Sequence, residues 1–293
     1  MKLKSEFSIM ADEMKDCRKM EQMSIVLRYF LHGSVFESFI GFVHATDLTA
    51  SGLCSELVSF LQRLGLDYKA KLVGQGYDGA SVMSGKNAGV GKLLKNEASL
   101  YLCALYVHCH AHRLNSALVD CMKVVSQAAE FFVFLEHLYV FVSYVHAKWV
   151  QIQRDMYPGE SVRELQRLCD TRWACRYAAC KAVSSRLPAV VRLLSDIKGG
   201  ENAKRAIEAR ALLGSVDCHL VIMLCFMSDI LGKTQSLSLF LQSATIDFSS
   251  VADSIHAVCA DLTELRSNDD KFNALYTEAV NLCEASGWHR DQF

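Results

Sequence analysis

The chain has 293 residues, 51% hydrophobic and 22% charged, with only two prolines. That composition supports a substantial apolar core and excludes a disordered or low-complexity chain. A net charge of -1 excludes DNA binding by phosphate contacts spread over the whole surface. Any nucleic-acid site must be a local patch or sit on another part of the protein.

The first part reads as strands. Phe7 to Met10 is a short apolar run ending at Ala11-Asp12-Glu13, and Gln22 to Phe30 is rich in β-formers. The turn His32-Gly33-Ser34 separates that run from Val35 to His44, which signals a hairpin. From Ser51 the period becomes helical, with Leu53, Leu57, Phe60, Leu61 and Leu64 on one face, Ser51 as expected N-cap and Gly65 as stop. A short strand, Ala70 to Val73, runs into a Gly-rich loop, Gly74 to Gly79. A helix from Ala88 to Asn96, a strand from Ala104 to Cys109 and a helix from Ala111 to Val125 follow. Strands reached through helical crossovers lie parallel, with helices against the sheet. Three strands, helix, strand, helix, strand, helix is the order of an RNase H-like domain, although other α/β folds share parts of it.

Beyond Gln127 the pattern is helical almost to the end. Helices are expected over Leu165 to Val183, Pro188 to Ile197, Asn202 to Leu213, Leu220 to Leu241, Val251 to Leu265 and Lys271 to Ala285. Two greasy stretches, Phe131 to Val145 and Leu220 to Leu231, contain Glu136, His137 and Asp229 and fall short of the ~20 apolar residues of a spanning helix. They read as buried helices, with no membrane partner. The start of the chain reads as a strand rather than a signal peptide, so the 12 cysteines are expected to be reduced thiols packing as small hydrophobes. The expected architecture is α/β plus α: a mixed-sheet core over 1–126 and an all-helical region over 127–293.

Two aspartates stand out. Asp12 closes the first strand, and Asp78 follows the first strand reached by a crossover. In the expected topology these strands are neighbours where the winding direction reverses, the place where open α/β sheets build sites. Two carboxylates there offer hard oxygen ligands suited to Mg²⁺ or Mn²⁺, and metals so held serve phosphoryl transfer. The plainer reading is an Asx-turn or a helix cap. Gly74, Gly76, Gly79 and Tyr77 around Asp78 make its setting unusual for a simple turn.

The run Gly74-Gln-Gly-Tyr-Asp-Gly-Ala-Ser-Val-Met-Ser-Gly-Lys86 resembles the second-aspartate motif of hAT transposases and their domesticated relatives. The branch it most resembles contains the zinc-finger MYM-type and related transposon-derived proteins. Ser8 to Asp16 with Glu21-Gln22 is similar to that branch's first-strand motif, and Tyr106 to Asn115 to its Cys/His segment. Cys169-Asp-Thr-Arg-Trp173 is similar to its Arg-Trp motif, and Asp229-Ile-Leu with Leu237 to Gln242 to a later helical signature. The resemblance implies an RNase H-like core with a large helical insertion. It implies metal-dependent DNA cleavage and strand transfer, with Asp12 and Asp78 as catalytic and metal-binding acids and Mg²⁺ or Mn²⁺ as cofactor. Trp173 beside Arg172 aligns with a tryptophan that stacks on a flipped base; simple helix packing is the alternative for Trp173. Cys109 and His112 are expected in support, as a polar cluster between strand and helix. Zinc is disfavoured because a structural site needs about four ligands and no second close pair is evident.

The family's third acid, a glutamate, follows the helical insertion near a dimerisation segment. Glu37, Glu264 and Glu278 do not stand in a matching context. The chain is therefore expected to be C-terminally truncated, to lack that dimerisation region, and to be inactive as a transposase by itself. DNA as partner and a nuclear location are implied by the resemblance alone. The alternative is a domesticated, non-enzymatic interaction or regulatory protein that acts through protein partners.

Overall fold

The computed structural model describes residues 5–15, 20–85, 88–97, 104–168, 173–244, 246 and 248–287. The chain divides into two compact units, Met1–Leu114 with Leu241–Ile246, and Asn115–Phe240 with Asp247–Phe293. The first is α/β and the second helical, the α/β plus α architecture expected from the pattern.

In the first unit β1 (Phe7–Lys15), β2 (Glu21–Leu31) and β3 (Ser34–His44) form an antiparallel meander. The β2–β3 turn is His32-Gly33, both at positive φ (49° and 84°), a geometry whose twist matches that of the hairpin strands. α1 (Ala50–Arg63), α2 (Tyr68–Lys71), β4 (Leu72–Tyr77), α3 (Ser81–Ser84), α4 (Val90–Glu97) and β5 (Leu105–His108) follow, and then α5 (His110–Val124), which belongs to the second unit from Asn115 on. The sheet order is β3-β2-β1-β4-β5, with β4 parallel to both β1 and β5. Phe7, Ile9, Ala11, Met23, Ile25 and Leu27 alternate onto the face that α1 covers with Leu53, Leu57 and Leu61. Thr49, not Ser51, caps α1: its hydroxyl accepts from the Gly52 amide at 3.1 Å.

The fourth strand differs from expectation. Tyr68–Lys71 is a helical turn, and the Gly-rich run itself is β4. Glycine is normally poor in strands, but here it lets β1 side chains pass. A Cβ on Gly74 would lie 2.6 Å from the Ser8 hydroxyl oxygen. Between the glycines, Gln75 and Tyr77 are buried and anchor the strand from its other face. Gln75 donates to the carbonyls of Gly91 (2.8 Å) and Ala104 (2.9 Å) and accepts from the Tyr77 hydroxyl (2.9 Å).

The second unit contains α6 (Ser126–Tyr144), α7 (His146–Met156), α8 (Trp173–Ile197), α9 (Ala203–Gly214), α10 (Cys218–Leu241), α11 (Phe248–Ser267) and α12 (Asp269–Ala285). Its core includes Phe131, Leu138, Trp149, Cys180, Val190, Leu224, Leu231 and Cys283. α10 runs well past the greasy stretch seen in the sequence and is long and apolar enough to cross a membrane. In this unit it is a core helix, burying Leu220, Val221, Leu224, Cys225, Met227, Leu231, Thr234 and Leu237.

The helix expected from Leu165 does not begin there. Residues 161–168 are irregular, because their backbone bonds are made to side chains instead. Trp149 Nε1 and Gln153 Nε2 both donate to the Arg163 carbonyl at 3.1 Å, and the Arg163 amide donates to Gln153 Oε1 at 2.9 Å. The Leu168 amide donates to Glu136 Oε2 at 3.0 Å. Further on, Arg186 breaks α8 with φ -134°, two residues before Pro188, which then opens the second segment as a first-turn proline. The nine cysteines placed by the described residues are free thiols, with Cys54, Cys180, Cys225 and Cys283 buried.

Candidate active site

The site grows from the register of two parallel strands. Ser8, Ile9 and Met10 of β1 pair with Gly74, Gln75 and Gly76 of β4. That pairing ends two residues before Asp12 and Asp78, on strands about 4.8 Å apart; Asp12 does not close β1 as expected, because pairing with β2 carries the strand on to Lys15. β1 and β4 are also the strands at which the chain reverses its direction of winding.

Asp12 is exposed on β1 opposite Ser24 of β2, whose hydroxyl donates to the Asp12 carbonyl at 3.2 Å. Asp78 lies one residue beyond β4. Its Oδ1 accepts from the Ala80 amide at 2.9 Å, which is an Asx-turn, so the plain turn reading holds alongside the acidic one. Among the described residues no hydrogen bond is made to its second carboxylate oxygen.

A third acid enters that sequence reasoning did not count. The Glu13 carboxyl is raised above its ordinary value, by partial burial first, then by Asp78, Glu21 and Asp12. Glu13 keeps solvent access, so burial removes only part of its hydration. Of the three neighbouring acids, Asp78 acts on it most strongly. Strand alternation sends Glu13 away from the face of Asp12, which hides it from a pattern-based reading. The adjacent pair at a strand end was the available signal.

His108 is the second residue that carries more than its motif suggested. Its Nε2 lies 2.8 Å from the Asp78 carbonyl. A carbonyl only accepts, so this nitrogen bears the proton. The ring occupies the space over Gly79, where a Cβ would fall 2.0 Å from Nε2, and Gly79 itself has φ +92°. Cys109 is exposed and contributes through its backbone: its amide donates to the Tyr77 carbonyl at 2.9 Å, extending the β4–β5 ladder. His112 touches this group through His108, their ring centroids 6.4 Å apart. Tyr106 stacks on Tyr77 at 5.9 Å, and its hydroxyl is pushed up by burial first, with Asp78 among the further causes.

Arg172 lies outside the described residues. Trp173 opens α8, but its side chain also lies outside them. Of the other glutamates, Glu37 pairs with Arg28 across β2–β3, Glu264 pairs with Lys271 at 2.6 Å, and Glu278 faces Cys225.

The donor chemistry of Asp12 and Asp78 suits a hard divalent cation. The set is nonetheless incomplete: among the described residues no three His, Cys, Asp or Glu side chains converge as a metal site. Among the described residues, Asp12 and Asp78 by themselves do not supply a full ligand set for a resident Mg²⁺ or Mn²⁺.

Residues 3–89 match a family model described as DUF4371: ZMYM1/FAM200, RNase-like domain. The matched segment holds the β1–β4 pair with Asp12, Glu13 and Asp78, and is similar to that RNase-like domain.

Proposed function

We propose that the chain derives from a DNA transposase of the hAT class and retains its RNase H-like core as a catalytically incomplete remnant. The observation that carries this reading is that β1 and β4, the strands leading to Asp12 and Asp78, pair side by side and parallel, with Asp78 acting on the neighbouring Glu13 carboxyl. Glu13 adds charge there without completing a ligand set. Losing positioned ligands costs orders of magnitude in rate. In this reading Mg²⁺ or Mn²⁺ is the ancestral cofactor, zinc has no part, Trp173 and Arg172 are the ancestral DNA contacts, and the protein acts in the nucleus. The test is cleavage of supercoiled DNA by the purified chain in Mg²⁺ or Mn²⁺. The expected result is no cleavage above that of the Asp78→Asn variant. Metal-dependent cleavage that Asp78→Asn abolishes overturns the remnant reading and restores the enzyme.

A second reading is favoured by the same incomplete ligand set together with the net charge of -1. In it the core is a scaffold for protein partners, as in a domesticated regulatory protein. Affinity purification from nuclear extract that yields DNA and no stoichiometric protein removes that reading.

A further inference from the structure

The meander turns one face to α1 and leaves the other open. On β2 and β3 the open face is built from the cross-strand pairs Phe30–Val35, Arg28–Glu37, Val26–Phe39 and Ser24–Phe42. An antiparallel sheet with one solvated face ordinarily alternates to polar residues on that side. This one carries Phe30, Val35, Phe39 and Phe42, which are 60%, 43%, 57% and 52% exposed. A bulge concentrates them. Ile25 pairs with Gly41 and Val26 with Phe39, so Ile40 is an extra residue in β3. It brings Phe39 and Phe42, three apart in sequence, onto the same face, where their rings meet edge to face with centroids 4.9 Å apart. Among these residues the charges are Arg28 and Glu37, which bind each other across the strands. About a third of each of those side chains stays open to solvent (32% and 29%). β3 is an outer strand of the sheet and holds no lysine or proline, the residues that commonly keep such strands from associating.

We propose that this face is the contact between two copies of the chain, packed sheet on sheet about a two-fold axis. Self-complementarity names the occupant. A two-fold contact presents the same residues from both sides, so a lone charge near the axis meets its like. The patch instead offers one cation and one anion, side by side on neighbouring strands. An axis running along the strands, midway between β2 and β3, sets β2 of each copy over β3 of the other. Arg28 then faces Glu37 of the other copy, Phe30 faces its Val35, and Val26 faces its Phe39. The two sheets lie about 10 Å apart, the spacing of a sandwich.

The area is sufficient for such a contact. The four exposed apolar side chains present roughly 400 Å² per copy. With Val26, Arg28 and Glu37 between them, two copies together remove about 1,000 Å² from water, the size at which a specific interface becomes stable.

Sedimentation velocity of the whole chain over roughly 1–100 µM is expected to show a monomer–dimer equilibrium. Phe39→Glu sets a carboxylate into the aromatic patch and is expected to raise the dissociation constant about 30-fold or more, the loss typical of a buried aromatic anchor. Arg28→Glu and Glu37→Arg copies are each expected to stay monomeric, because like charges then face each other. An equimolar mixture of the two is expected to form a mixed dimer. Hydroxyl-radical footprinting of the unsubstituted chain locates the contact without any substitution. Phe30, Phe39 and Phe42 should lose reactivity as the dimer forms, while Phe272 on α12, 47% exposed, should keep it. A chain that stays monomeric, whether or not it binds some other protein, overturns the proposal. So does a dimer that leaves Phe39 and Phe42 reactive, or a mixture of the charge variants that associates no better than its components.

Discussion

Gly79→Ala tests the geometry around Asp78 most directly. A Cβ at this position meets two obstacles. The backbone φ of +92° is one that L side chains rarely adopt, and such left-handed geometry costs roughly 1–2 kcal/mol. The new methyl also falls 2.0 Å from His108 Nε2, so the imidazole must leave the Asp78 carbonyl it now holds at 2.8 Å. Losing that hydrogen bond costs about 1 kcal/mol. The sum, about 2–3 kcal/mol, corresponds to a roughly 30- to 150-fold change in a local opening equilibrium. All three tryptophans belong to the second unit, so indole fluorescence does not report on this one. The suitable measurement is native-state amide hydrogen exchange at Cys109, whose amide closes the β4–β5 ladder on Tyr77. The double variant Gly79→Ala/His108→Ala removes the clash and should cost clearly less than the sum of the two single changes. Loss of less than about 0.5 kcal/mol in Gly79→Ala, or strict additivity in the double variant, refutes the account of His108 locked over Gly79.

Three further expectations follow from particular contacts. Gln75→Leu leaves the Gly91 and Ala104 carbonyls and the Tyr77 hydroxyl without their partner, at about 3 kcal/mol or more, seen as a lower urea midpoint by far-UV circular dichroism. The raised Glu13 carboxyl favours the folded state while protonated. That contribution is full below the ordinary value of 4.5 and is lost as pH rises through the raised folded value. Glu13→Gln should therefore stabilise the protein at pH 7 and leave it unchanged below about pH 4, as followed by thermal melts across pH; equal effects at both ends contradict the shared acidic field. Arg186→Ala removes a buried guanidinium that binds Glu160 at 2.6 Å and Gln153 at 3.2 Å and lies 4.2 Å over the Tyr157 ring. A cost of about 2–3 kcal/mol is expected by tryptophan fluorescence in urea, because Trp149 and Gln153 hold the same Arg163 carbonyl.

Periodicity was enough to read the opening hairpin, the apolar stripe of α1 and the helical second unit, because each rests on local alternation or a 3.6-residue repeat. Strand order followed from chain order, since a helical crossover leaves a strand little choice but to lie parallel. The elements misread from sequence are those whose backbone is governed by distant partners. β4 runs through Gly74 because the Ser8 side chain of β1 occupies the space a Cβ would need. Residues 161–168 forgo helix because Trp149, Gln153 and Glu136 supply hydrogen bonds that helical neighbours would otherwise provide.

The site divides in the same way. The sequence by itself determined that Asp12 and Asp78 belong with two neighbouring strands of one sheet, although β1 runs on past Asp12 to Lys15. Only the tertiary structure decided that β1 and β4 pair in the register Met10 to Gly76, that Glu13 shares the field of the two aspartates, and that His108 rather than His112 holds the Asp78 carbonyl. Composition and periodicity constrain neighbours along the chain, whereas a site depends on residues such as Gly79 and His108, which sequence separates and only the β4–β5 pairing brings together.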